Sequence, residues 1–191
     1  GDEWVAFVTE RADATLARAR ELIDELKDGT ARTAESVLEL WNDCDLALRN
    51  AASMASLLAE VHPDEAVRTL AEAKQQDVAR LSTDRGLDRA LFDVVSAVDG
   101  ATLSGAAAQR LLAHILRDFR RSGVDRDEAV RARLREISER LTVVGQDFSR
   151  NIRDDVRSIK IEPERLAGLP QDFIDTHPAD ADGLVTITTD Y

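Results

Sequence analysis

Three histidines, one cysteine and a tight run of arginines are the residues of this 191-residue chain best suited to do chemistry. A helical zinc site needs a histidine followed by glutamate and a second histidine four positions on, so that both rings leave one helix face. His62 is followed by Pro63, His114 by Ile115 and His177 by Pro178, so none of them opens that motif. A dinuclear site in a bundle needs Glu-x-x-His pairs, and no histidine here has glutamate three positions before it. The histidines read as packing or surface residues: His62 precedes a helix-starting proline, His114 lies among apolar helical residues, and His177 sits in a polar loop. Cys44 has no second cysteine to pair with, and its place among Trp41, Leu48 and Ala51 at helical spacing marks a small buried apolar residue rather than a reactive thiol.

The carboxylate pairs Asp43/Asp45, Asp154/Asp155 and Asp180/Asp182 have spacings that acid–base catalysis can use, but a chain with 37 acidic residues produces such pairs throughout. In "ILRDFRRSGVD", Ile115 to Asp125, Arg117, Arg120 and Arg121 come together in an otherwise acidic chain. Gly123 stops the helix there, and arginines in a last helical turn answer the partial negative charge of its free carbonyls. With acidic neighbours at Asp118 and Asp125, the run reads as a helix end and not a phosphate site. No Gly-rich phosphate loop, nucleophile elbow or calcium loop is present in the sequence. From the residues alone the chain carries no catalytic set and no metal-ligand set, and no substrate-binding residue stands out.

The elements that would position any site are helical. Lys and Arg number 25 against 37 Asp and Glu, a formal charge of −12, which argues against nucleic acid or an anionic membrane as partner. A 43% hydrophobic content with only 4% aromatics, dominated by Ala, Leu, Arg, Glu and Asp, predicts an all-α body. No apolar run approaches the length of a membrane span, and no charged-then-apolar leader opens the chain, so a cytoplasmic location is expected. The chain starts at Gly1 rather than Met, which leaves room for a removed leader.

One apolar stripe runs through Val5, Val8, Ala12, Leu16, Ala19, Ile23 and Leu26 and ends at Asp28-Gly29. Thr30 or Thr33 then caps a helix with two stripes: Val37, Trp41, Cys44, Leu48, Ala52, Ala55 and Leu58, and Leu40, Ala47 and Met54. Pro63 is placed in the first turn of a third helix that pauses near Asp84-Arg85-Gly86, resumes through Leu91, Val94, Val95 and Val98, and closes at Asp99-Gly100. Ser104 is placed as the cap of a fourth, with Ala108, Leu111, Leu112, Ile115, Leu116 and Phe119 inward. The cleanest pattern is Val130, Leu134, Ile137, Leu141, Val144, Phe148 and Ile152, a helix of about Asp127 to Val156 whose stripe is expected to join an intrachain bundle. "SIKIEP" and "LVTITTDY" then read as short strands around two helical turns in "PERLAGLPQDFIDTH". The expected organisation is a bundle of about five long helices over 1–158 and a β-hairpin-like segment with helical turns over 159–191.

Four stretches occur in series: "LRDFRRSGVD" (Leu116 to Asp125), "ARLREISERL" (Ala132 to Leu141), "FSRNIRDD" (Phe148 to Asp155) and "LAGLP" (Leu166 to Pro170), closing on "DGLVTITTDY". Over about Asp88 to Tyr191 this series resembles the thimet oligopeptidase, oligopeptidase A and peptidyl-dipeptidase family of zinc metallopeptidases. The resemblance implies an N-terminal helical region lying ahead of a catalytic domain that carries His-Glu-x-x-His and a further Glu ligand. None of those ligands is in this chain, so zinc is expected in the full-length enzyme and none bound by these residues. The implied role is non-catalytic: one wall of a deep channel that admits short peptides and excludes folded proteins, in a chain trimmed before its catalytic part. Apolar surface bared by such trimming would make any dimer of the fragment an artefact. Without the resemblance, the long heptad-like helix suits a self-contained interaction or scaffold module, against which an unpaired terminal strand would count.

Overall fold

The computed structural model describes residues 2–28 and 33–189. Its helices are α1 (Asp2–Lys27), α2 (Ala34–Val61), α3 (Glu65–Leu87), α4 (Arg89–Ser96), α5 (Ala106–Ser122), α6 (Glu128–Asp154) and α7 (Gln171–Thr176). Two strands, β1 (Ser158–Ile161) and β2 (Val185–Thr188), complete an all-α fold with a small sheet. The chain forms two compact units, Gly1–Val143 and Val144–Tyr191, with the division falling inside α6.

In the first unit the α1 stripe is buried as its spacing predicts, from Val8 through Ala12, Leu16, Ala19 and Ile23 to Leu26, with Leu22 beside it. The facing side of α2 is built from small residues, Cys44, Ala47, Ala51, Ala55 and Ala59. Small side chains let two helix backbones approach closely, and Cys44 Sγ lies 3.7 Å from the Ala19 carbonyl oxygen. The α3 residues Val67, Ala71 and Val78 close the third side. Aromatic contacts bring in the rest: Phe119 of α5 packs on Trp41 of α2 at 5.2 Å and on Phe92 of α4 at 5.5 Å between ring centroids.

Helix ends follow side-chain capping more closely than proline and glycine position. Thr33 caps α2 by accepting from the Ser36 N–H at 3.1 Å, while Thr30, the alternative cap, and Gly29 lie outside the described residues. Pro63 is not in the first turn of α3: Asp64 accepts from the Ala66 N–H at 2.9 Å, and the helix starts at Glu65. The pause expected near Asp84-Arg85-Gly86 falls two residues further on: α3 runs to Leu87 and Asp88 provides the break, accepting from the Leu91 N–H at 3.0 Å to cap α4. Ser104 does not cap α5. Its N–H and hydroxyl both reach Glu35 Oε1, at 3.2 and 3.3 Å, and α5 begins after Gly105, which has φ 91°. At the other end Gly123, φ 92°, closes α5 in a left-handed turn, with the Val124 N–H donating to Phe119 O at 3.2 Å.

The largest departure is α6. No residue of this helix is fully buried, and apart from the half-buried Leu134 its apolar stripe stays in solvent: Leu141 is 65% and Phe148 66% exposed. Within the first unit α6 meets α3 through polar side chains instead, with Arg135 on Asp84 at 3.2 Å and Arg80 on Glu139 at 3.2 Å. The reason lies in α3, whose apolar residues are already used against α1 and α2; what it offers on its far side is Arg80 and Asp84.

In the second unit β1 and β2 pair antiparallel with Ile159 opposite Ile187, so the terminal strand has a partner after all. Leu166 and Val185 are the buried apolar residues beneath the pair, and Lys160 binds Asp180 at 2.6 Å. The helical turns fall at Pro163–Leu166 and Gln171–Thr176, on either side of Gly168 and Pro170. Asp190 and Tyr191 of the expected strand lie outside the described residues.

A side chain at Gly123 would place Cβ 2.6 Å from Leu134 Cδ1 in a left-handed conformation. Gly123→Ala is therefore expected to cost about 1–3 kcal/mol. Urea unfolding followed by circular dichroism checks this, and an unchanged midpoint would remove Gly123 as the determinant of the α5–α6 turn.

Candidate functional site

The arginine run sits where the sequence places it, in the last turns of α5. Arg117 donates to Asp118 at 2.8 Å and Arg120 lies over the Phe92 ring at 5.8 Å, while Asp125 is close to Arg126 rather than to the run. The carboxylate pairs are likewise held by cations: Asp154 by Arg153, Asp155 by Arg157 and Asp180 by Lys160. His62 packs on Trp4 with ring centroids 5.1 Å apart, His177 stacks on Phe173 at 4.1 Å, and His114 is exposed. These groups do not converge: among the described residues no three His, Cys, Asp or Glu side chains come together in a way that could hold a metal ion. Among them, too, no helix is long and apolar enough to cross a membrane.

The structure does bring one set of polar and aromatic side chains together, around Arg85 near the end of α3. Its guanidinium lies 4.6 Å from the centroid of the Trp41 ring, donates to Asp45 Oδ1 at 3.1 Å and reaches Cys44 Sγ at 3.7 Å. Asp45 also accepts from Arg49 at 2.6 Å. Burial pushes the Asp45 carboxyl up, but the hydrogen bonds from Arg49 and Arg85 outweigh it and hold the group below the usual aspartate range. Cys44 is fully buried, and desolvation raises its thiol above the ordinary value despite the nearby Arg85 charge. The cluster thus binds α2 to α3 through a cation stacked on an indole and leaves the sulfur protonated. In the sequence Arg85 stands out only as part of a helix pause. Its partners lie about forty residues away on another helix, and no local pattern announces such a pairing.

Two open clefts flank this cluster. The larger, about 340 Å³, is lined by Asp84, Asp88, Arg89, Glu128, Arg131 and Arg135, and its charges balance one another: Arg135 binds Asp84 and Glu128, and Arg89 binds Asp93. The smaller, about 240 Å³, lies between α1 and α3, where Lys27 holds Asp88 at 2.9 Å. A charge-balanced, open groove offers steric shape without a preferred ligand sign. A further group missed in the sequence is the exposed pair Trp4 and Phe7, edge to face at 5.7 Å near the start of α1.

Proteins to which the chain is similar are peptidases by name. No protein-family model matches the chain. It is similar to a thimet-like oligopeptidase of Dictyostelium discoideum, 25% identical over 167 residues, covering 84% of this chain. It is similar also to the mitochondrial intermediate peptidases of Mycosarcoma maydis, 27% identical over 93% of this chain, and of Phaeosphaeria nodorum, 25% identical over 88%. The likeness therefore reaches well upstream of Asp88, the approximate start of the region that the motif series marks. The chain spans about a quarter of the length of these relatives, 24%, 24% and 21%.

Two outcomes follow from the Arg85 cluster. In the native chain Cys44 is expected to react with an aromatic disulfide reagent far more slowly than in denaturant, and equal rates would exclude the buried, protonated thiol. Because the folded Asp45 carboxyl titrates below its unfolded value, its contribution is complete above the unfolded value, about 3.9, and is lost as pH falls through the folded one. Asp45→Asn should flatten that part of the stability–pH profile measured by urea unfolding; a profile parallel to the wild type would show that the carboxylate does not report on folding.

Proposed function

We propose that this chain is the non-catalytic N-terminal helical part of a zinc-dependent oligopeptidase, a metalloendopeptidase or peptidyl-dipeptidase acting on short peptides. The observation that carries the reading is the likeness to three peptidases over 84%, 93% and 88% of the chain, combined with a length about a quarter of theirs. The described residues do not fit the metal, since no three potential ligands converge. In this reading zinc and the residues that hold it belong to another part of a longer protein, and these helices contribute access: they wall a channel narrow enough for unfolded peptides. Neither nucleic acid nor membrane is a partner, consistent with the formal charge of −12. The location we favour is the cytoplasm. The word "mitochondrial" in the names of two relatives keeps the organelle as the competing compartment.

A second reading, a self-contained helical interaction or scaffold module, is favoured by one observation, the solvent-exposed apolar stripe of α6.

The test is hydrolysis of a short quenched-fluorescent peptide by this chain and by the natural full-length product. The expected result is no turnover by the chain alone and turnover by the full-length product that a chelator abolishes and zinc restores. A full-length product without peptidase activity would overturn the first reading, and so would chelator-resistant activity.

A further inference from the structure

The hairpin of the second unit turns one row of backbone groups outward. Thr189 donates its N–H to the Arg157 carbonyl at 2.9 Å, which makes these two a hydrogen-bonded pair. Bonded and non-bonded pairs alternate along an antiparallel ladder, so Ile159 with Ile187 and Ile161 with Val185 are bonded pairs too. The N–H and C=O of Ser158 and Lys160 therefore point away from β2, along the outer edge of β1, and among the described residues nothing bonds to them. Ser158, Ile159 and Lys160 are all exposed. A lysine commonly guards such an edge, but here the Lys160 ammonium is drawn off to Asp180 at 2.6 Å. Ile159 shares its face of the sheet with Ile161, Val185 and Ile187 and is 62% exposed at the open margin of that face.

We infer that the outer edge of β1 takes an extended, basic peptide as a third strand. The peptide backbone exchanges hydrogen bonds with Ser158 and Lys160 and leaves Ile159 and Ile161 bonded to β2, because each strand residue turns both of its backbone groups to one side. Backbone pairing is indifferent to side-chain sequence, but the side chains on one face of the added strand lie beside Ile159, which favours an apolar residue there. Charge selects the rest. The unit carries ten acidic residues against five basic ones, and Asp154, Asp155, Glu162 and Glu164 flank β1 at its two ends, all exposed. Asp154 and Asp155 are paired with Arg153 and Arg157, whereas neither Glu162 nor Glu164 forms an ion pair among the described residues. A peptide that alternates lysine with valine meets both demands, and an acidic one meets repulsion. The inference deepens the peptidase reading, on which its meaning rests, by giving these residues a hold on the substrate backbone. It is read out in binding and not in hydrolysis, so the two fail separately.

The experiment is a nuclear magnetic resonance titration of the isotope-labelled full chain with the capped peptide Lys-Val-Lys-Val-Lys, carried to millimolar concentration. The amides of Ser158 and Lys160 should shift and gain protection from hydrogen exchange, while those of Ile159 and Ile161, already bonded across the hairpin, move far less. Ser158→Pro removes an outward N–H that the ladder does not use, so the hairpin should persist, as undisturbed Ile159 and Ile187 resonances would show, with affinity lowered about fivefold. Replacing both acids, Glu162→Lys with Glu164→Lys, should leave the sheet intact and weaken binding about fivefold or more. The Glu-Val counterpart of the peptide should not bind. The natural full-length product, held in chelator so that the peptide stays whole, should bind a fluorescent form of it with the same dependence on Ser158→Pro. No shift at Ser158 and Lys160, equal shifts at all four amides, or equal binding of the acidic peptide would overturn the inference. So would variants that bind as the wild type does, or a full-length product that does not bind because this edge is taken up within it.

Discussion

The close approach of α1 and α2 is the constraint on which the first unit depends. Ala19 of α1 and Cys44, Ala51 and Ala55 of α2 leave so little side chain between the helices that Cys44 Sγ reaches a backbone carbonyl on the other helix. With that seam closed, the larger α1 residues Leu16, Leu22 and Leu26 are buried, each worth about 1.5–3 kcal/mol of transfer free energy. The same seam sets Trp41 and Asp45 at the height of Arg85, so that one cation can serve the indole, the carboxylate and the sulfur. Enlarging any of the small residues would separate the helices and disperse that cluster.

A second consequence concerns how apolar surface is shared. The α3 helix spends Val67, Ala71 and Val78 on α1 and α2, and its other side is left charged. The α6 helix is strongly two-sided, yet the surface available to it is polar, so its polar side takes the contact and its apolar side remains in water. Amphipathic spacing identifies the face able to be buried. Whether it is buried depends on what the neighbouring helix has left to offer.

That distinction explains what could be read from the sequence. The α1 stripe, the stop at Gly123, the cap at Thr33 and the strands around residues 159 and 187 follow from local chemistry and were legible. Asp64 in place of Pro63 shows a side-chain carboxylate outranking a backbone specialist at a helix start, and Asp88 sets the break expected near Asp84-Gly86. Ser104 could not be placed because its partner, Glu35, is sixty-nine residues away. Arg85 was invisible for the same reason. Of the candidate site, the sequence carried the peptidase likeness, but neither the Arg85 cluster nor the exposure of α6.

The order of contacts along the chain has its own effect. The α1–α2 and α2–α3 seams join helices adjacent in sequence, whereas Trp41 and Phe119 meet across nearly eighty residues. Loop-closure entropy grows only as the logarithm of loop length, about 0.6 kcal/mol per doubling, so the distant ring contact costs little more than a near one once the hairpins exist. Docking of α5 therefore needs only modest aromatic packing to be favourable, and a chain with so few aromatic side chains can place Phe119 alone between two helices and still close the bundle.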